Sequence, residues 1–410
     1  VAQHAARIVL DPAARDADAE HRLLRAEGLA ARVDILGVPA WSVSDPALLR
    51  ELLTSPDVSK DGRRHWPGYE QAVRSWPLAL WIAATNMFTA YGGDHRRLRR
   101  IVAPALSVRR VAALKPVVED LVERLLDALE TTPRGGSAEL RERFAHPLPI
   151  AVIGHLMGMS DDRGGDFRAL VDGVFDTTRS PEEAADNTQR LYAMLDDLIA
   201  TKQAAPGDDL TSALITLRAD GETAGGPALS ESELRDTLLL LINAGYETTV
   251  NLIDQAVTSL LTRPEQLAHV RAGRATWADV VEETLRHEPP VKHLPLRYAV
   301  ADIPLPDGRV IRRGEAILAS YAAANRHPDW HEDPDRFDVT RLTKEHLAFG
   351  HGIHFCLGAA LARLEGETAL RAFFGRFPDA ELAVAEGELE PMASLISNGH
   401  RSLPVRLCPV

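Results

Sequence analysis

Three features of the sequence predict a mainly α-helical fold with a small β-rich region, organised as one domain over residues 1–410. Apolar residues recur at three-to-four spacing through 108–130, 188–203, 231–261, 276–287 and 357–374, the period of amphipathic helices. β-rich runs are confined to stretches near 33–55, 297–320 and 379–407, the middle one punctuated by Pro306-Asp307-Gly308 and Arg313-Gly314, which are turn signals. No internal repeat or low-complexity linker divides the chain. Strand segments from both ends and from one late insertion should therefore form a small sheet beside a large helical body. The stretch 219–230 reads as a surface loop, with Ser230 and Glu233 placed to cap the helix that follows.

Composition narrows the function. The chain has 410 residues, 45% hydrophobic and 26% charged, with a net charge of −13, values of a soluble globular protein. That charge repels phosphate and argues against nucleic acid as a partner. The two cysteines, Cys356 and Cys408, exclude a disulfide framework, and a reducing cytoplasm is the expected location. Val1–Leu10 carries His4 and Arg7 and does not read as a signal peptide. The most apolar stretch, Leu238–Leu261, is interrupted by Asn243, Glu247 and Asp254, so no membrane span is expected.

The most informative segment runs from Phe349 through Gly350, Gly352, His354 and Cys356 to Gly358. Three glycines in ten residues imply tight turns and a close approach to something flat and bulky. An amphipathic helix follows, so Cys356 sits near a helix N-terminus, where dipole and free amides favour a thiolate. Four roles suit such a cysteine: a buried structural residue, a zinc ligand with His346, His351 and His354, a nucleophile with His354 as base, or a thiolate beneath a haem. The last accounts for the glycines, the helix start and the histidine together. Cys408, with no such setting, is expected to be structural.

Other constellations precede this loop. Ala244-Gly245-Tyr246-Glu247-Thr248-Thr249 lies inside the 231–261 helix. A mid-helix glycine costs about 1 kcal/mol relative to alanine, and a threonine hydroxyl can bond back to the carbonyl four residues earlier and open the helix. The bland reading is a packed kink with a buried acid. The functional one is a dioxygen groove with an acid–alcohol proton relay. Glu283 and Arg286 share a helix face at i,i+3, ordinarily a weak surface pair. His95 and Arg99, four apart, share a face of a strongly basic helix that otherwise reads as solvated.

Read together and in this order, these motifs resemble the cytochrome P-450 superfamily, and the resemblance covers essentially the whole chain. It implies one haem b, with Cys356 as axial ligand and Phe349, Gly350, Gly352 and Gly358 shaping the loop against it. It makes His95, Arg99, Arg297 and His354 the propionate partners, Ala244 and Gly245 the dioxygen groove, and Thr248 with Glu247 the relay. It makes Glu283, Arg286 and Arg336 a buried structural triad. Trp76, Trp81, Met87, Phe88, Leu241, Val291, Leu294 and Leu395 would wall an apolar pocket for a lipophilic small molecule, plausibly macrolide, polyketide or steroid-like. The implied reaction puts one atom of O2 into a C–H or C=C bond, with electrons from NAD(P)H through a reductase and a ferredoxin. Arg96, Arg97, Arg100, Arg109 and Arg110 would form the basic patch that docks the ferredoxin. Two other readings stay open: a peroxide-using or phenol-coupling haem-thiolate enzyme, and a non-catalytic haem protein that binds gas.

Overall fold

A computed structural model describes residues 7–159, 164–224 and 229–408. Helices dominate. The longest, Glu231–Thr262, begins at Ser230, whose side chain accepts the Glu233 N–H while Glu233 reaches back to the Ser230 amide. That reciprocal box satisfies two orphan donors. Pro264 then opens the next helix, Pro264–Arg271, because a first turn has no use for the amide that proline lacks. Residues on every face of Glu231–Thr262 are buried, so this helix is the spine about which the others pack. Pro147–Met157, Pro181–Ala204, Trp277–His287 and Ala359–Arg376 all touch it.

The β region is a six-stranded sheet in the order Ile8–Val9, Ala30–Ile35, Val38–Val43, Ala316–Ser320, His293–Ala299, Val58–Ser59. The hairpin Ala30–Val43 turns at Leu36 and Gly37, both at positive φ. Val38–Val43 then pairs parallel with Ala316–Ser320, joining the start of the chain to its last third. Two expectations need correction. Within 33–55, residues Pro46–Thr54 form a helix capped by Asp45, because Asp45-Pro46 is a helix start and Leu48, Leu49, Leu52 and Leu53 repeat with helical period. Within 219–230, the helix Leu210–Ala224 continues to residue 224, and 225–228 lie outside the described residues. The helix expected at 188–203 starts earlier, at Pro181, on a Ser180–Glu183 box; its first turns hold no large apolar residue and so show no period. Strand Ser137–Glu139 had no local signal and exists by pairing with Pro404–Arg406. Among the described residues no helix is long and apolar enough to cross a membrane.

Candidate active site

A cavity separates the Cys356 loop from the middle of Glu231–Thr262, lined on one side by Phe349, Gly350, Cys356 and Gly358 and on the other by Ala244, Gly245 and Thr248. The loop's glycines are needed at two places. Gly350 and Gly352 both lie at φ +70°, where an L side chain is strained. A Cβ on Gly352 would also fall 2.7 Å from the Leu53 carbonyl oxygen. Gly352 thus seats the loop on the helix Pro46–Thr54 and does not itself line the cavity. The Cys356 amide donates to the Phe349 carbonyl at 2.8 Å, closing the turn. Burial pushes the Cys356 thiol up, against the opposing pull of the Gly358 and Ala359 amides and of Arg99 and Arg363. Arg363 is held by Glu282 at 2.6 Å and lies 4.6 Å over the Phe349 ring. Cys408, by contrast, is free and exposed, which overturns a packing role for its side chain.

Across the cavity two hydroxyls of the continuous helix bond back to its own carbonyls. Thr248 Oγ1 donates to the Ala244 carbonyl at 2.6 Å and Thr249 Oγ1 to Gly245 at 3.2 Å. Gly245 also lets Pro147–Met157 pass close, since a Cβ there would meet Ile153 Cδ1 at 2.5 Å. Glu247 is not in this cavity. Consecutive helix residues project about 100° apart, and Glu247 turns away from the cavity toward Arg141, fully buried. Its Oε1 accepts from Arg141 at 3.3 Å and Asn251 at 3.1 Å, while Oε2 has no partner. Burial raises this acid to about 7 despite Arg141. Arg141 is shared with Asp254 at 2.6 Å, and Asp254 in turn holds His400 at 2.7 Å.

Cations gather at one edge of the cavity. The His95 and His354 rings lie 4.2 Å apart. Arg99 donates to the Phe355 carbonyl at 2.8 Å. Arg297 is buried with Nη1 unpartnered, and both His95 nitrogens are unpartnered. Burial first, then Arg297 and His95, hold His354 down at about 2; burial and Arg99 hold His95 at about 4. A fifth member, Lys60, escaped the sequence reading, as did Glu365. Glu365 lines the cavity with both oxygens buried and unpartnered, raised to about 8 by burial alone. Its signal was available: Leu361, Glu365, Ala369 and Phe373 are spaced i,i+4 on one face, with an acid among apolar residues.

Beneath the loop, Arg286 clasps Glu283 with two 2.8 Å bonds, both side chains fully buried, and also donates to the carbonyls of Pro334 and Arg336. The third member of the triad is corrected. The Arg336 side chain is 63% exposed and pairs with Asp338; it contributes only its carbonyl. The arginine near Glu283 is Arg341, at 3.6 Å and 13% exposed. The backbone turn around Arg336 decides this, and a motif match cannot see it.

Of the expected pocket residues, Trp81, Met87, Phe88, Leu241, Val291 and Leu294 line the cavity. Trp76 does not. Its indole donates to the Ile35 carbonyl at 3.1 Å, and it borders a separate groove along Pro181–Asp196. Leu395 is also core, fully buried with its amide bonded to Thr177. Ile153, Val174, Phe175 and Leu239 complete the apolar walls, and Asn243 adds a polar atom, Oδ1, with no partner.

These residues fit a haem. The cavity offers a cysteine on one face, the Ala244–Thr248 turn on the other, and arginine and histidine side chains without acidic partners at the rim. Among the described residues none of Lys60, His95, Arg99, Arg297 and His354 pairs with a carboxylate of the protein. Buried cations without counter-charges are costly, and two propionates would supply them.

Comparison with known proteins agrees. The family model for cytochrome P-450 matches residues 277–391. The 2-hydroxy-5-methyl-1-naphthoate 7-hydroxylase of Streptomyces carzinostaticus is 40% identical, over 97% of this chain and 97% of its own. The 6-deoxyerythronolide B hydroxylase of Saccharopolyspora erythraea is 38% identical over 92% of each. Among solved structures, CYP154A1 from Streptomyces coelicolor A3(2) superimposes with a TM-score of 0.94 at 66% identity, covering 98% of this chain and all of that one. The thiolate loop, the turn Ala244–Thr248 and these likenesses together make the chain a member of the cytochrome P-450 family, a haem-binding monooxygenase.

Proposed function

We propose that this enzyme hydroxylates or epoxidises a bulky lipophilic small molecule of the polyketide, macrolide or steroid-like class, with Cys356 holding the haem iron. Bound haem would supply oxygen activation, one atom of O2 going to the substrate and the other to water. The observation that carries the reading is the convergence of Cys356, the turn Ala244–Thr248 with its threonine back-bond, and His95, Arg99 and His354 on a single cavity.

Each residue then has a task. The Gly358 and Ala359 amides, aimed at Sγ, favour the ionised sulfur. Arg99, Arg297, His95 and His354 take the propionates, whose charge offsets the burial that now holds both histidines neutral. Thr248 keeps a proton at Oγ1, and Ala244 and Gly245 leave room above the haem. Glu247, raised to about 7, is a proton store on the Arg141 side of the same helix, next in sequence to Thr248. Leu241, Val291, Leu294, Trp81 and Phe88 exclude water and grip an apolar ligand. The names of the relatives, acting on a naphthoate and on 6-deoxyerythronolide B, support the substrate class.

Electrons would come from NAD(P)H through a reductase and a ferredoxin. Arg96, Arg100, Arg109 and Arg110 are exposed, which supports a basic docking face on an acidic protein. Arg97 leaves that patch, because it pairs with Glu233. The test is turnover with a ferredoxin system on a panel of macrolides, steroids and aromatic polyketides. Product dependent on NAD(P)H and O2, and a carbon monoxide difference spectrum lost in Cys356→Ser, are expected. Product formed only with added peroxide would overturn the electron-transfer part, and an unaltered spectrum in Cys356→Ser the ligand assignment.

A further inference from the structure

We propose that Lys60 is a propionate anchor of this chain, closing the cation cage from the strand Val58–Ser59. The inference rests on the reading of the cavity as the haem chamber.

Lys60 follows that strand, which pairs with Tyr298–Ala299, and so lies beside Arg297. It is 3% exposed. A lysine so deep is ordinarily paired with an acid. Here Nζ donates once, to the Pro295 carbonyl at 3.1 Å, and sits 3.7 Å over the Phe88 ring. One carbonyl and an aromatic face do not replace the hydration of an ammonium ion. The nearest acid in sequence, Asp61, turns away to cap and pair with Arg64. The ionisable groups that face Lys60 from neighbouring elements are Arg297 and, beyond it, His354, with His95 and Arg99 in the same cluster. Burial and Arg297 push the ammonium well below its ordinary range.

Such a cluster calls for an anion of more than one charge. His354, on the Cys356 loop, belongs to it, so the missing charge lies on the loop side of the cavity. A propionate there would give Nζ its second partner and hold it protonated. Haem binding would then take up a proton from solvent onto Lys60, and haem loss would release it. The sign follows: rising pH favours loss. Other groups of the cage are coupled to the same charge, so the part that belongs to Lys60 is the difference in pH slope between wild type and Lys60→Met.

The experiment uses haem-loaded wild type, Lys60→Met, Lys60→Arg and Arg297→Leu, with haem transfer to excess apomyoglobin followed between pH 6 and 9. A hydrogen bond to a charged group is worth roughly a 10- to 100-fold change. Lys60→Met should lose haem faster by about that factor, and Lys60→Arg should largely restore retention. The wild-type rate should climb as pH rises, and the climb should be shallower in Lys60→Met. A purely structural lysine would leave the pH slope intact, which overturns the proposal. Wild-type retention in Lys60→Met beside rapid loss in Arg297→Leu would also overturn it while sparing the cage. No effect in either would sink the cage itself. Should Lys60→Met fail to fold, Lys60→Gln is read in the same way.

Discussion

Replacing Arg286 by methionine should cost this protein a large part of its stability, and the structure sets the size. Arg286 and Glu283 are both fully buried and joined by two 2.8 Å bonds. Removing the guanidinium leaves Glu283 with the Asp338 amide at 2.8 Å and Arg341 at 3.6 Å. An uncompensated buried charge costs about 3–5 kcal/mol. The Pro334 carbonyl loses its donor as well, at about 1 kcal/mol, while the Arg336 carbonyl keeps Arg341 at 3.1 Å. The sum approaches the about 5–15 kcal/mol that typically holds a domain together. Urea unfolding followed by circular dichroism should show the loss. The double variant Glu283→Met/Arg286→Met should recover at least about 2 kcal/mol of it, because replacing both partners avoids the orphaned charge. Arg336→Ala should stay within about 0.5 kcal/mol, as exposed sites do. A single variant within about 1 kcal/mol of wild type, or a double variant no better than the single, would refute the reasoning.

Three further outcomes are expected. Gly352→Ala combines a left-handed backbone with a clash against the Leu53 carbonyl; it should lower haem content by at least half on the order-of-magnitude strain of 1–2 kcal/mol, read from the carbon monoxide difference spectrum. Glu365, raised from 4.5 to about 8, favours the folded state while neutral. Its contribution is complete below pH 4.5 and lost as pH rises through about 8, so Glu365→Gln should abolish that part of the stability decline, measured as denaturation midpoints across pH. Arg96→Glu/Arg100→Glu should slow electron transfer from a ferredoxin by about tenfold at low salt and flatten its salt dependence, measured by stopped-flow reduction.

What the chain discloses in one dimension depends on how local the cause is. The glycines around Cys356 announce their loop because positive φ is a property of single residues. The capping pair Ser230–Glu233 is legible because two residues, three positions apart, carry it. The motif pairs Glu247 with Thr248 in a relay but does not give their directions, because the rotation of a helix buried all round is set where no polar face marks the outside. Arg336 and Arg341 are indistinguishable until the turn between them is built. Trp76 and Leu395 are apolar in either role, so only packing separates a wall from a core. Lys60 stands between Ser59 and Asp61 and looks solvated; only the strand pairing with 298–299 buries it.

The parallel pairing of Val38–Val43 with Ala316–Ser320 has a consequence for biosynthesis. A ribosome adding about 5–20 residues per second needs on the order of tens of seconds after the first hairpin emerges to deliver its partner strand. Through that interval the nascent hairpin keeps an open edge, including the apolar Trp41 and Val43. The edge invites chaperones or a wrong neighbour chain, so slower translation should raise the aggregated share of this protein, and synthesis with a holding chaperone should lower it.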